Sequence, residues 1–206
     1  MFWSILDEKR QRLLPALAIG RSDGFYLAGG TALALQLGHR DSVDFDFFKG
    51  DGFDTTLLFE RLRETFTGLD VLKVQDEPNT LCLVVSESIK LSFMRYPYSL
   101  LRPLIKADHL DLADIVDIGC MKLSAITGRG TMKDYVDLFF ILKHISLQEL
   151  LALCAIKLPQ LDRALIMKAL VFFDDLDDEP VLYMQGYAIP FEEVKKFLRI
   201  QARRGY

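Results

Sequence analysis

Residues 26–48 of the chain read YLAGGTALALQLGHRDSVDFDFF. A short apolar run over 25–28 predicts a buried strand, and this strand is expected to end in a turn at Gly29-Gly30. Thr31 is predicted to cap the helix-forming residues that continue to Gly38. Aromatic and β-branched residues then alternate with carboxylates over 42–48, the pattern of a second strand. A strand, a glycine turn, a helix and a strand therefore follow one another closely.

The second strand carries Asp44 and Asp46 two positions apart. Side chains at this spacing point to the same face of a strand, so both carboxylates are expected to project together. A divalent cation such as Mg²⁺, which takes one or two carboxylates plus substrate phosphates, would relieve their repulsion. An acidic solvent face with no ligand is the other interpretation of an isolated Asp-x-Asp.

The glycine turn favours the metal-site interpretation of the two acids over an acidic solvent face. Gly29, Gly30 and Thr31 lie where a strand gives way to a helix, and the free N–H groups of a helix N-terminus can hold phosphate. Glycine also lets the backbone approach a ligand closely. Together, the turn and the acidic pair predict a site that binds phosphate on one side and a metal on the other. Arg40, just before the second strand, is a candidate contact to phosphate or base, although an ordinary loop role explains it equally well.

The rest of the chain predicts the fold class. Three further strands are predicted over 70–74, 80–85 and 89–95, and from residue 112 onward the apolar spacing becomes helical. We expect an α+β fold in which a mixed β-sheet flanked by helices is followed by a C-terminal helical bundle. The predicted domains are residues 1–110 and 111–206.

Composition narrows the functional classes. Of 206 residues, 50% are hydrophobic and 26% are charged, an ordinary globular balance, and the net charge of −4 gives no general attraction to nucleic acid. No apolar run is long enough to cross a bilayer, and the charged N-terminus is not a signal peptide, so we expect a cytoplasmic protein with no membrane partner. The three scattered cysteines are predicted to be buried and free.

A short acidic run over 174–179 is predicted to be a solvated loop.

Two blocks of sequence carry a resemblance. The glycine turn and Asp44-Phe45-Asp46 resemble the signature of the DNA polymerase β nucleotidyltransferase superfamily, and the run over 26–48 is similar to the AbiEii/AbiGii toxin family. A second block, over 121–129 and 133–138, resembles that family's two later motifs.

The resemblance implies Mg²⁺-dependent transfer of a nucleotidyl group from a nucleoside triphosphate. It also implies an acceptor at the 3′ end of tRNA and growth arrest relieved by a partner antitoxin. Asp44 and Asp46 would hold the metal, and the Gly29–Thr31 turn would hold the triphosphate. Lys122 and Asp134 would be the later functional positions, although a structural salt bridge or an exposed helix face also explains them.

One position departs from the superfamily pattern. Ser92 occupies the inward polar position of the strand over 89–95, where a third carboxylate is expected. A hydroxyl is a weak neutral ligand and a poor base. Two alternatives therefore stand beside transfer to RNA: transfer to a protein or small molecule, which suits the acidic net charge, and a nucleotide-binding or partner-binding module without catalysis.

Overall fold

A seven-stranded mixed sheet forms the centre of the fold in the computed structural model, which describes residues 1–176 and 180–204. The strand order is β3-β4-β5-β2-β1-β7-β6. Strand β2 pairs antiparallel with β1 on one side and parallel with β5 on the other. The strands are β1 (Tyr26–Ala28), β2 (Phe45–Lys49), β3 (Val71–Glu77), β4 (Thr80–Val85), β5 (Ile89–Arg95), β6 (Ile105–Lys106) and β7 (Asp111–Leu112).

Helices flank this sheet and dominate the second half of the chain, as the predicted α+β class requires. They are α1 (Glu8–Leu17), α2 (Ile19–Ser22), α3 (Gly29–Leu37), α4 (Thr55–Thr65), α5 (Ile115–Arg129), α6 (Met132–Ile141), α7 (Leu147–Lys157), α8 (Arg163–Ala169) and α9 (Phe191–Arg204).

Helix α1 begins at Glu8, where the Asp7 carboxylate accepts the Arg10 N–H at 2.8 Å and caps the helix. One local prediction in the next helix of the site was wrong. Thr31 was expected to cap α3. The residue before the first turn is Ala28 instead, so Thr31 lies inside the helix and its side chain serves another purpose, described below.

The two shortest strands were missed. Strands β6 and β7 contain two residues each, which is too short to show an alternating pattern in sequence. Strand β7 pairs in parallel with β1 through Leu112 and Leu27. It thereby extends the sheet on the side of β1 away from β2.

The buried apolar side chains of the sheet and of the later helices form one continuous cluster. The proposed division of the chain at residue 110 stays a prediction. Strand β7, which lies just beyond that boundary, is part of the same sheet as β1 to β6. The predicted burial of Cys82, Cys120 and Cys154 as free thiols is confirmed. Nowhere in the described part of the chain does a helix combine the length and apolar character that crossing a bilayer requires. Within the predicted acidic loop, residues 177–179 lie outside the described residues.

Candidate active site

The carboxylate pair lies at the start of β2, in the middle of the sheet. Asp46 lies in register with Ala28 of β1 and with Ser92 of β5. Phe45 alternates with the acids and is fully buried on the opposite face, which fixes the direction of the carboxylates. Asp44 is exposed and Asp46 is half-buried. Both acids line the same cavity, as the predicted common face requires.

Electrostatics at Asp46 favour a positive ligand. Burial raises the pKa of the Asp46 carboxyl, the hydrogen bond from Ser92 works in the opposite direction, and the charge of Asp44 raises the pKa further. Lys90 and Lys122 act on it only through their charges. A half-buried carboxylate with a like charge beside it is stabilised by a cation placed between the two.

The glycine turn brings backbone up against this pair. Gly29 has φ +70°, and a Cβ added there would come within 3.1 Å of Asp46 Oδ2. A side chain at this position would therefore be strained and would crowd the carboxylate. Helix α3 starts at this turn without a side-chain cap, so its first N–H groups are open to a ligand.

Thr31 holds the loop that precedes β2. Its Oγ1 lies 2.8 Å from Ser42 Oγ and also donates to the backbone oxygen of Asp44. Thr31 is buried, so its contribution to the site is to position Asp44. Its predicted role in binding the triphosphate stays a prediction.

A buried ion network lies beside the pair and joins the segment between α3 and β2 to α5 and α6. The Asp137 carboxylate accepts from Arg40 Nε at 2.7 Å and Nη2 at 2.8 Å, and it pairs with Lys122 Nζ at 2.7 Å. Lys122 also donates to Asp134 at 2.7 Å. His39 Nε2 lies 2.8 Å from Asp137 Oδ1. Two cations and two carboxylates thus balance, with Asp137 at the centre.

The network and its burial shift the pKa values of Asp137 and His39. The charges of Arg40 and Lys122 hold the pKa of Asp137 well below its usual range in spite of complete burial. Burial lowers the pKa of His39, so this imidazole is neutral and Nε2 donates to the carboxylate. Within residues 1–176 and 180–204, His39 Nδ1 has no hydrogen-bond partner.

Asp134 has a second, structural contact. Its Oδ2 accepts from the Thr131 N–H at 2.9 Å and from the Thr131 hydroxyl at 3.0 Å, which forms the capping box of α6. The carboxylate therefore fixes the start of α6 while its other oxygen holds Lys122. The predicted catalytic roles of Asp134 and Lys122 stay predictions.

These parts line one cavity of about 380 Å³. Of the eight predicted site residues, Gly30, Arg40, Asp44, Asp46, Lys122 and Asp134 line it, whereas Gly29 and Thr31 lie just behind it. Leu182 covers one side, in a segment where the Asp41 N–H donates to the Leu182 oxygen at 2.7 Å. The remaining lining residues are Asp41, Ser42, Val43, Thr131, Lys133 and Pro180.

Asp137 is the most important residue that the predicted set omitted. All of residues 134–141 are buried, and Asp137 lies within that run, with apolar residues on both sides of it. A carboxylate inside an apolar helical stripe implies a buried cation, and that signal was present in the sequence. Its partner Arg40 is far away along the chain, so the pairing itself was not visible.

Replacing Gly30 with alanine tests how closely the turn is packed. A Cβ at Gly30 would overlap the Arg40 guanidinium and lie 3.2 Å from Ser42 Oγ. Because Arg40 donates two hydrogen bonds to Asp137, the turn has to move, and we expect the catalytic efficiency of a reaction in this cavity to fall about ten- to a hundredfold. Gly128→Ala is the control, since nothing lies within 4 Å of its Cβ. Unchanged kinetics in Gly30→Ala would show that the turn does not contact the ligand.

A glycine turn at a helix N-terminus, beside two carboxylates on the adjoining strand of a mixed sheet, places this chain among the nucleotidyltransferases. Comparison with known proteins agrees. Residues 12–80 match the family described as "Nucleotidyl transferase AbiEii toxin, Type IV TA system". A protein of Aquifex aeolicus, "Uncharacterized protein aq_aa25", is 36% identical over 201 residues, which cover 93% of each chain.

Solved structures share the fold. MenT4, described as nucleotidyltransferase toxin Rv2826c from Mycobacterium tuberculosis, superposes with a TM-score of 0.63 at 16% identity over 95% of this chain and 82% of that one. JHP933 from Helicobacter pylori gives a TM-score of 0.60 at 21% identity over 97% and 92%. The chain belongs to the AbiEii nucleotidyl transferase family.

Proposed function

We propose that this protein transfers a nucleotidyl group from a nucleoside triphosphate to the 3′ end of a tRNA in the presence of Mg²⁺. In this proposal it acts in the cytoplasm as the toxin of a toxin–antitoxin pair. The observation that carries the proposal is the Asp44–Asp46 pair, which faces a cavity bordered by the N-terminus of α3 and by Lys122. The acceptor and the antitoxin rest on family membership alone.

The donor set suits Mg²⁺. Asp44 and Asp46 offer hard carboxylate oxygens on one face, and the charge of one disfavours the charge of the other. Among the described residues no cluster of three metal-ligating side chains occurs, so the substrate's phosphates would supply further ligands. Mg²⁺ bound there would neutralise charge on the phosphates and steady the reacting oxygens.

The protein's own groups would orient the triphosphate. The first N–H groups of α3 point a partial positive charge at the cavity. Lys122 uses two of its three ammonium hydrogens for Asp134 and Asp137, which leaves one for a phosphate oxygen. Because the ion network is neutral as a whole, Arg40 and Lys122 would recognise phosphate through directed hydrogen bonds more than through net charge.

The proposed reaction is an in-line displacement at the α-phosphorus. The acceptor hydroxyl oxygen forms a bond to that phosphorus, and the bond to the oxygen bridging the α- and β-phosphates breaks. Pyrophosphate leaves with the bonding electron pair, and the hydroxyl proton is released to water. The products are a nucleotidylated acceptor and pyrophosphate.

Ser92 supports one competing function, a nucleotide-binding module without catalysis. It lies directly beside Asp46 and donates a hydrogen bond to it, at the position where a third carboxylate would otherwise assist the metal. The two functions differ in whether bound triphosphate is consumed.

The deciding experiment incubates the purified protein with each α-labelled triphosphate, Mg²⁺ and total tRNA, with a parallel reaction in excess chelator. We expect one or more triphosphates to label tRNA only when Mg²⁺ is free. Label on protein instead of RNA would replace the acceptor in this proposal. Binding of triphosphate with no label on any macromolecule would favour the binding module.

A further inference from the structure

Leu182 is an exposed aliphatic residue on the wall of a largely polar cavity. It is 63% exposed and lines the cavity beside the acidic pair. Its neighbours Val181, Tyr183 and Met184 pack against the hydrophobic cluster, whereas Leu182, within residues 1–176 and 180–204, does not contribute to that cluster. Core packing therefore does not explain a leucine at this position.

The backbone holds Leu182 in place. Its segment runs antiparallel to residues 39–41, with a bridge between Arg40 and Tyr183. The Leu182 oxygen accepts the Asp41 N–H at 2.7 Å. Because backbone groups make these contacts, a substitution can change the side chain at position 182 without releasing the segment.

A second cavity, of about 390 Å³, adjoins the first at Leu182. Asp41, Val43 and Leu182 line both cavities. The backbone of Asp41 is engaged at this boundary, since its N–H is bonded to Leu182 and its oxygen to Arg40. The second cavity is otherwise lined by four apolar or aromatic residues, Ile5, Leu6, Tyr183 and Met184, and by two polar ones, Ser4 and Asp7. A mainly apolar cavity of this size is typical of a site for a small ligand.

The groups proposed to hold phosphate lie away from the boundary between the cavities. Gly30 and Lys122 line the first cavity and not the second, whereas Val43 and Leu182 lie where the two cavities meet. A nucleoside triphosphate has the same division, because its phosphates are charged and its base is a flat ring with two weakly polar faces. With the phosphates beside Gly30 and Lys122, the base would extend toward Leu182.

We propose that the nucleobase of the triphosphate packs against Leu182, with its ring directed into the second cavity. The proposal rests on the proposed transferase function. The contact removes a face of the base and the exposed leucine from water together, which favours binding. An aliphatic side chain does not read the hydrogen-bonding edge of a base, so the contact contributes to the binding of each of the common nucleoside triphosphates.

The experiment measures equilibrium binding by calorimetry in Mg²⁺ without RNA, and it compares nucleoside triphosphates with inorganic tripolyphosphate, which has no base. We expect Leu182→Ala to raise Kd for the nucleoside triphosphates about three- to tenfold, through the loss of apolar contact. Kd for tripolyphosphate should stay the same. Leu182→Met keeps the apolar surface and should bind nucleoside triphosphates within about twofold of the unmodified protein. Leu57→Ala is the matched control, since Leu57 in α4 is 61% exposed, and its Kd values should not change.

The outcomes separate this inference from the proposed function. Equal Kd values for the nucleoside triphosphates in Leu182→Ala and the unmodified protein would place the base elsewhere and leave the transferase proposal intact. An equal loss for tripolyphosphate would also overturn the contact, because the effect would then concern the phosphates. Loss confined to the nucleoside triphosphates, in a protein that transfers no label to any acceptor, would support the contact and refute the transferase.

Discussion

Asp46→Asn is expected to lower kcat/KM for nucleotidyl transfer by roughly 100- to 1,000-fold, the usual loss when one electrostatic partner of a transition state is removed. The substitution preserves shape and the hydrogen bond with Ser92, but it removes the negative charge that a bound cation requires. Incorporation of labelled nucleotide at saturating Mg²⁺ measures the loss. Raising the Mg²⁺ concentration should restore only part of the activity.

The same variant should be at least as stable as the unmodified protein. Because the pKa of Asp46 is raised in the folded state, its ionisation favours the unfolded chain, and folding stability is lost as the pH rises above about 4 and through the folded value. Asparagine has no such ionisation. We therefore expect Asp46→Asn to have an equal or higher melting temperature at pH 7, as is common for sites that store unfavourable charge for function.

Asp41→Asn is the matched control, since Asp41 lines the same cavity outside the pair. We expect it to lose less than about tenfold in kcat/KM, because it lies outside the proposed metal ligands. Normal transfer by Asp46→Asn would remove Asp46 from the site. An equal loss in both variants would mean that general charge in the cavity matters more than the pair.

Local sequence was enough to predict the elements around the carboxylates. The turn at Gly29-Gly30 and the alternation around Asp46 are contained in residues 26–48, and each follows from backbone geometry. These features depend on periodicity and turn chemistry, which act over a few residues. The position of Ser92 beside Asp46, on the neighbouring parallel strand, was expected from the family resemblance alone.

Other features required knowledge of contacts between distant segments. The Arg40–Asp137 pair joins residues 97 positions apart, and the parallel pairing of β7 with β1 brings together Leu112 and Leu27. The contacts of Thr31 were also not predicted, although its partners are close to it in the sequence. It has the residue type of a helix cap, but its hydroxyl bonds to Ser42 and Asp44 because the chain returns to it after α3.

The acidic pair and the ion network around Asp137 have different roles within the site. Asp44 and Asp46 are presented by a strand whose other face is buried in the core, so the fold supports an unfavourable acidic pair. In the ion network around Asp137, each charge has an opposite charge beside it, and the network ties the strand half of the chain to α5 and α6. The acidic pair is therefore available for a cation, whereas the network holds the walls of the cavity in place and leaves one ammonium hydrogen of Lys122 for a ligand.

Asp137→Asn should consequently produce the largest loss of stability. Arg40 and Lys122 would lose the carboxylate between them, and removing one partner of a buried ion pair costs about 3–5 kcal/mol. Urea unfolding at pH 7 measures the change in the free energy of unfolding through the midpoint. Asp114→Asn is the control, because Asp114 caps α5 and asparagine caps a helix about equally well, so a change below about 0.5 kcal/mol is expected.

The pH dependence of this loss tests its electrostatic origin. Since the pKa of Asp137 is held far below its ordinary value, its contribution is fully present above about pH 4 and is lost as the pH falls toward the folded value. The difference between the unmodified protein and Asp137→Asn should therefore shrink below pH 4. Neutral His39, whose pKa burial lowers, adds stability that begins to be lost in both proteins as the pH falls below about 6.5. A difference that stays constant down to pH 2.5 would mean that Asp137 stabilises the fold by packing and not by its charge.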